Sequence, residues 1–243
     1  MGSAIVYLIP TVLAEQQTLP LPAYLLDAIK QCNIFFVENE RTARRYLKYL
    51  WKEMAIDDYE WQNIKEVNES TIFSFKNSIK QNKIIGIISE AGCPGVADPG
   101  QQLVMIAQEM DVTIKPLVGP SSILLALMAS GMNGQHFQFV GYLPIDHSER
   151  LKAIKNLEVE SKQKNCTQIF IETPYRNNQL LDAILKTCQP QTRICIAADL
   201  TAETEMIKTK MVKEWKISLP QLHKRPSIFL MHAASTTLGT YSH

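Results

Sequence analysis

Short runs of apolar, largely β-branched residues recur along the chain, separated by stretches whose apolar positions return every three or four residues. The runs predict strands at Ile5 to Ile9, Ile34 to Val37, Ile84 to Ser89, Val112 to Val118, Phe137 to Tyr142, Gln168 to Glu172, Arg193 to Ala198 and Ser227 to Met231. Helical spacing lies between most of them, as at Leu103, Val104, Ile106, Ala107 and Met110, and again at Leu180, Leu181, Ile184 and Leu185. This alternation gives an α/β fold with substantial parallel sheet. Ile84-Ile85-Gly86-Ile87-Ile88 is apolar on both faces, as a central parallel strand covered on each side requires. Thr209 to Trp215 reads as a strand or a hairpin arm, and no internal repeat or low-complexity segment appears.

The pattern breaks most sharply at Ser89 to Gly100, which holds Gly92, Gly95 and Gly100 with Pro94 and Pro99 between a buried strand and a helix. Asp98 is placed there as N-cap, Pro99 as the first helical residue and Gln101 as the third. A glycine-rich loop leaving the C-terminal end of a parallel strand is where open α/β folds put ligands. After the fourth strand, Gly119-Pro120-Ser121-Ser122 opens a wholly apolar helix, Ile123 to Ala129, ended by Gly131. The boundary falls near Val118, giving an N-terminal α/β domain, 1–118, and a C-terminal α/β domain, 119–243. Further loops leave strands at Leu143-Pro144, at Glu172 to Arg176, where Thr173 and Pro174 suit N-cap and N1, and at Ala198 to Thr201. Spacing does not establish that these loops converge.

Composition narrows the chemistry. The 243 residues are 46% hydrophobic and 20% charged, enough to bury a sizeable core in one large domain or two smaller ones. Twenty-five basic against 24 acidic side chains leave +1, so nucleic-acid binding would need a local patch. Such a patch is offered by Arg41, Arg44, Arg45, Lys48 and Lys52 on one side of a helix, opposite Ala43, Tyr46, Leu47, Leu50 and Trp51, although an ordinary solvated face has the same pattern. Five cysteines without a CxxC pair argue against a disulfide framework and a zinc site, and fit a reducing cytoplasm. His136 and His147 have no short-range partner, so no metal is expected. The N-terminus lacks the pattern of a signal peptide, and no apolar run approaches the roughly 20 residues of a membrane span. Neither G-x-G-x-x-G nor G-K-[ST] follows the first strand, and the glycine loop lacks Lys and Arg, so the expected ligand carries few or no phosphates. Cys93 has no neighbour that would activate a thiolate and reads as a plain loop residue.

Taken together, Ile88-Ser89-Glu90-Ala91-Gly92-Cys93-Pro94 through Asp98-Pro99-Gly100, Pro116-Leu117-Val118-Gly119-Pro120-Ser121-Ser122, Gly141-Tyr142-Leu143-Pro144, Ile171 to Arg176 and Glu38-Asn39-Glu40-Arg41-Thr42 carry a family resemblance. The chain resembles the tetrapyrrole methylase superfamily, and within it the ribosomal RNA small-subunit methyltransferase I branch, over nearly its whole length. Two segments depart from that branch. Its first loop typically reads P-T-P-I-G-N-L, where this chain has Pro10-Thr11-Val12-Leu13-Ala14-Glu15-Gln16, and its E-D-T-R becomes Glu38-Asn39-Glu40-Arg41.

The resemblance implies a two-domain α/β methyltransferase that binds S-adenosylmethionine in a cleft between the domains, usually as a homodimer. Carried over by position, cofactor contacts fall on Leu13, on Gly92, Cys93, Pro94, Gly95 and Val96, on Ser121 and Ser122, and at Ala197 and Pro226. RNA, ribosomal RNA first, is the implied acceptor, with a tetrapyrrole, another small molecule or a non-catalytic binding role as alternatives. Glu172 and Glu38 are the candidate bases for a hydroxyl acceptor. Arg41, Arg44, Arg45, Tyr175 and Arg176 are the candidate substrate contacts, with a salt-bridge or hydrogen-bond network holding the two domains the other reading of Glu172, Tyr175 and Arg176.

Overall fold

The computed structural model describes residues 3–14 and 22–233; Glu15 and Gln16 of the first loop lie outside them. The chain divides into two compact units, Met1–Ser121 and Ser122–His243.

In unit 1 the strands β1 (Ile5–Ile9), β2 (Ile34–Val37), β3 (Glu60–Asn63), β4 (Ile84–Ile88) and β5 (Thr113–Pro116) form one sheet in the order β3-β2-β4-β1-β5, parallel throughout. Helices α1 (Tyr24–Gln31) and α2 (Glu40–Leu50) cover the face that presents Tyr7, Ile9, Phe35, Val37 and Ile88. The opposite face, with Val6, Ile34, Phe36, Ile85 and Ile87, lies under α3 (Glu69–Lys80) and α4 (Gly100–Glu109). From β1 the chain crosses past β4 to reach β2, and from β4 it crosses past β1 to reach β5. The two connections therefore cover opposite faces, and a crevice is left outside the carboxyl ends of β1 and β4, the switch point where such sheets bind ligands.

Unit 2 carries β6 (Phe137–Tyr142), β7 (Thr167–Ile171), β8 (Arg193–Ala198), β9 (Met206–Met211) and β10 (Ser227–His232) in the order β6-β7-β10-β8-β9. Only β6 and β7 are parallel, since β10 inserts antiparallel between β7 and β8, and β9 returns antiparallel on β8. Helices α6 (His147–Lys164), α7 (Asn177–Thr187) and α8 (Val212–Trp215) enclose a core that includes Phe170, Phe229, Ile194 and Trp215, while α5 (Ser122–Ser130) packs on β8, β9 and β10.

Several sequence expectations shift. The polar edge strand β3 was not predicted, and Thr209 to Trp215 divides between β9 and the short helix α8. The strand expected over Val112 to Val118 shortens to β5, and α2 ends at Leu50, so Lys52 lies beyond it. Asp98 is not the N-cap of α4. That position belongs to Pro99, and the Asp98 carboxylate instead accepts from Gly95 N at 2.8 Å and Gly100 N at 2.7 Å, closing the loop on itself. Likewise α7 begins after Arg176 rather than after Thr173, because Thr173 to Arg176 form a turn closed by Arg176 N on Thr173 O.

Candidate active site

The glycine loop is locked to its neighbours by backbone. Thr11 N donates to Gly92 O at 2.9 Å, and Thr11 Oγ1 reaches Ser89 O at 3.4 Å. Gly92 has φ +75°, and a Cβ there would stand 3.2 Å from Leu13 Cδ2 and 3.3 Å from Pro120 O. Gly119 is tighter still, since its Cβ would fall 2.1 Å from Pro10 Cβ. Cys93 Sγ lies 3.4 Å from Pro120 O, and burial raises its pKa, which suits a loop thiol rather than a nucleophile. The loops after β1, β4 and β5 therefore converge at one edge of the unit 1 sheet. Within Gly92 to Val96, Gly92 and Pro94 are buried, Cys93 and Gly95 half-buried and Val96 exposed.

Next to this junction a cavity of about 450 Å³ is walled by Thr11, Val12 and Leu13 from the first loop, by Ser89, Glu90 and Ala91 after β4, and by Thr42, Ala43, Arg45, Tyr46 and Tyr49 from α2. The α2 residues follow the helical repeat of three and four and share one face. Tyr46 donates its hydroxyl to Pro10 O at 2.7 Å, and burial pushes that phenol well above its usual range. Of the three α2 arginines proposed from sequence, only Arg45 lines the cavity. Arg44 is engaged elsewhere, 2.6 Å from Glu40 and over the Trp61 ring, and Arg41 is exposed. A second, open hollow around Lys30, Asn33, Glu60 and Lys83 lies at the opposite, N-terminal edge of the strands.

Glu38 follows β2 and accepts from Glu90 N at 2.9 Å. Its pKa is raised, first by burial and further by the carboxylates of Glu90 and Asp98, against the lowering effects of the Glu90 N–H and Lys65. Asn39 joins the two segments: its Oδ1 caps α2 at Thr42 N, and its Nδ2 donates to Glu90 Oε1 at 2.9 Å. Sequence reasoning missed Asn39, Glu90, Tyr49, Thr11 and Ser89 as site residues. The signal available was the Thr42, Tyr46, Tyr49 spacing, which reads as core packing until these residues are seen to line the cavity.

In unit 2, Ala197 is buried inside β8 and pairs with Ile228, while Pro226 is exposed and its carbonyl accepts from Asp199 N at 2.9 Å. Arg225 links this edge through Asp199 Oδ2 and Thr204 O, each at 2.7 Å. Ser122 begins α5 and is half-buried, as is Ser121 at the end of unit 1. Glu172 follows β7. Its side chain is 1% exposed, and Oε1 takes Thr173 N together with Nε and Nη2 of Arg176. Arg176 thus pairs with Glu172 within unit 2, while Glu172 Oε2 is buried with no hydrogen-bond partner among the described residues. Tyr175 is exposed, edge-on to His223. Among the described residues no His, Cys, Asp and Glu group is set to hold a metal, and no helix is long and apolar enough to cross a membrane.

A family model described as Tetrapyrrole (Corrin/Porphyrin) Methylases matches residues 21–215. The chain belongs to this family. As a tetrapyrrole methylase family member it is a methyltransferase, and its α/β fold is the family's. The methyltransferase CobJ superimposes with a TM-score of 0.59 at 15% identity, covering 99% of this chain and 98% of that one. Precorrin-6Y methylase (cbiE) of Archaeoglobus fulgidus gives 0.54 at 16%, over 97% and 100%. In sequence the chain is similar to ribosomal RNA small subunit methyltransferase I of Vibrio cholerae, 27% identical over 95% of this chain and 78% of the relative. The enzyme of the same name from Halalkalibacterium halodurans is 27% identical over 74% of this chain, a match spanning 58% of the relative's length.

Proposed function

We propose that this chain is an S-adenosylmethionine-dependent methyltransferase acting on RNA, with a ribose 2'-oxygen of ribosomal RNA as the first candidate acceptor. The observation that carries the reading is the junction of the three unit 1 loops, where Gly92 at positive φ leaves backbone and small side chains close together without a cationic phosphate cradle. Such a surface suits a sulfonium-bearing nucleoside better than a polyphosphate. Leu13, Cys93, Gly95, Val96 and Ser121 are the positions the resemblance carries over for it in unit 1, and Ser122, Ala197 and Pro226 those it carries over in unit 2.

S-adenosylmethionine supplies a methyl group already bonded to a good leaving group. The protein's work is then alignment, plus a place for the proton when the acceptor is a hydroxyl. Glu38 is the carboxylate we assign to that proton, being half-buried, fixed on Glu90 N and holding a proton more tightly than an ordinary Glu. The relatives' names support RNA as acceptor. A homodimer working in the cytoplasm completes the reading.

Small ribosomal subunits from cells lacking the protein, incubated with it and tritiated S-adenosylmethionine, are expected to take up label in RNA. Calorimetric binding of S-adenosylhomocysteine without label in any RNA would overturn RNA as the acceptor, label in neither RNA nor small molecules would favour a non-catalytic homologue, and absence of binding would remove the cofactor.

A further inference from the structure

We propose that the unit 1 cavity receives the acceptor nucleoside itself, extruded from a single-stranded RNA segment, with Tyr49 as its stacking platform and Glu90, held by Asn39, as a hydrogen-bond acceptor. This rests on the RNA-methyltransferase reading above. Size comes first: about 450 Å³ is in the range of pockets that enclose one small molecule, and a nucleoside drawn out of its stack is a ligand of that size.

The walls fit one nucleoside. Tyr49 is 59% exposed, which places a large aromatic ring at the rim of the cavity rather than in the core. Tyr46, one turn earlier, is fixed by its bond to Pro10 O and offers a rigid side wall. Rings so placed hold bases by stacking without regard to sequence. Thr11 and Ser89 direct their hydroxyl hydrogens to the carbonyls of Ser89 and Ala91, so toward a ligand their oxygens act as acceptors. Glu90 adds a carboxylate acceptor. The cavity is thus rich in acceptors, the complement of hydroxyl and amino donors on a nucleoside. Arg45, the one cation among the lining residues, suits one of the two phosphates that flank an extruded nucleotide. A tetrapyrrole polycarboxylate, by contrast, would meet one cation and the like charge of Glu90.

Asn39 is the positioning residue. Its side chain accepts from Thr42 N and donates to Glu90 Oε1, two roles that an amide fills together and a carboxylate does not. An Asp there would still cap α2 but would set a second negative charge against Glu90.

The test uses the full chain with small ribosomal subunits from cells lacking it, and a short single-stranded oligoribonucleotide carrying 2-aminopurine. Tyr49→Ala is expected to raise the KM for subunits roughly ten- to hundredfold and to abolish the 2-aminopurine fluorescence change that wild type gives. Tyr49→Phe should restore both. Glu90→Ala should raise the same KM while leaving melting temperature and S-adenosylhomocysteine affinity near wild type, since its side chain is exposed and lines the cavity. Methylation by wild type with an unchanged KM in Tyr49→Ala and Glu90→Ala would overturn the nucleoside pocket and leave the RNA reading standing. Loss of S-adenosylhomocysteine binding in Tyr49→Ala would hand the cavity to the cofactor and overturn the proposal. No methyl transfer to any RNA by wild type would overturn the RNA reading and the proposal with it.

Discussion

Glu38 holds its proton more tightly in the folded chain than in the unfolded one, mainly because burial penalises its charge. As pH rises through the ordinary carboxylate range the unfolded chain releases that proton first. The stability Glu38 contributes is therefore full at acid pH and lost as pH climbs through its raised folded value. Glu38→Gln removes this loss, so urea titrations from about pH 4 to about pH 8 should show its stability relative to wild type rising with pH and then levelling. The same variant should slow methyl transfer, a trade of stability against function. Gly92 is the second sensitive residue. A β-branched side chain at φ +75° costs about 1–2 kcal/mol in backbone alone, and its Cβ would press on Leu13 and Pro120 O. Gly92→Val should lower stability and abolish S-adenosylhomocysteine binding by calorimetry.

These two residues also mark what the sequence discloses at this scale. Gly92 is legible because a glycine between a buried strand and a helix announces a backbone that other residues resist. Glu38 is visible as a carboxylate at a strand end, but its altered proton affinity depends first on burial and then on Glu90 and Asp98, which only the fold brings near. Asn39 is less legible still, since one of its two bonds goes to Glu90, 51 positions away.

Among elements, those with strong periodicity or an all-apolar run were readable. The five parallel strands of unit 1 are the exception that explains the rule: four announce themselves, whereas β3 reads Glu-Trp-Gln-Asn, an edge strand paired on one side and half in water. Helix starts were less readable than helix bodies. Asp98 and Thr173 both have the residue type of a cap, yet each is spent one turn earlier in shaping its loop. Where a cap is real it should be measurable. Asn68 accepts from Thr71 N at 3.0 Å and from Thr71 Oγ1 at 3.1 Å to start α3, whose Phe75 and Ile79 enter the core. Asn68→Ala is expected to cost about 1 kcal/mol by denaturant unfolding, with the slope of the transition unchanged.

For the whole molecule, the two units share an α/β alternation but not a sheet topology, and the alternation alone did not distinguish the all-parallel sheet from the mixed one. The decisive element is β10, whose apolar pattern fits either direction. Thiol chemistry gives a global test of the packing. Cys32, Cys166, Cys188 and Cys195 are buried and Cys93 is half-buried, all five unpaired. Burial raises each thiol's pKa, to about 12 for Cys32. Ellman's reagent should label native protein slowly and at Cys93 alone, and should reach all five cysteines after denaturation. Rapid labelling of several thiols in the native chain would contradict the packing described.

The fit of Pro10 against Gly119 has a consequence for the chain's history. With no room between the proline ring and the glycine α-carbon, neither position is free to drift alone. A descendant that gained a side chain at 119 would first need a smaller or re-routed residue at 10, so across diverging lineages the two sites should change in the same steps. In a broad alignment they are expected to appear as a correlated pair joining the ends of β1 and β5, an inheritance written by contact rather than by chemistry.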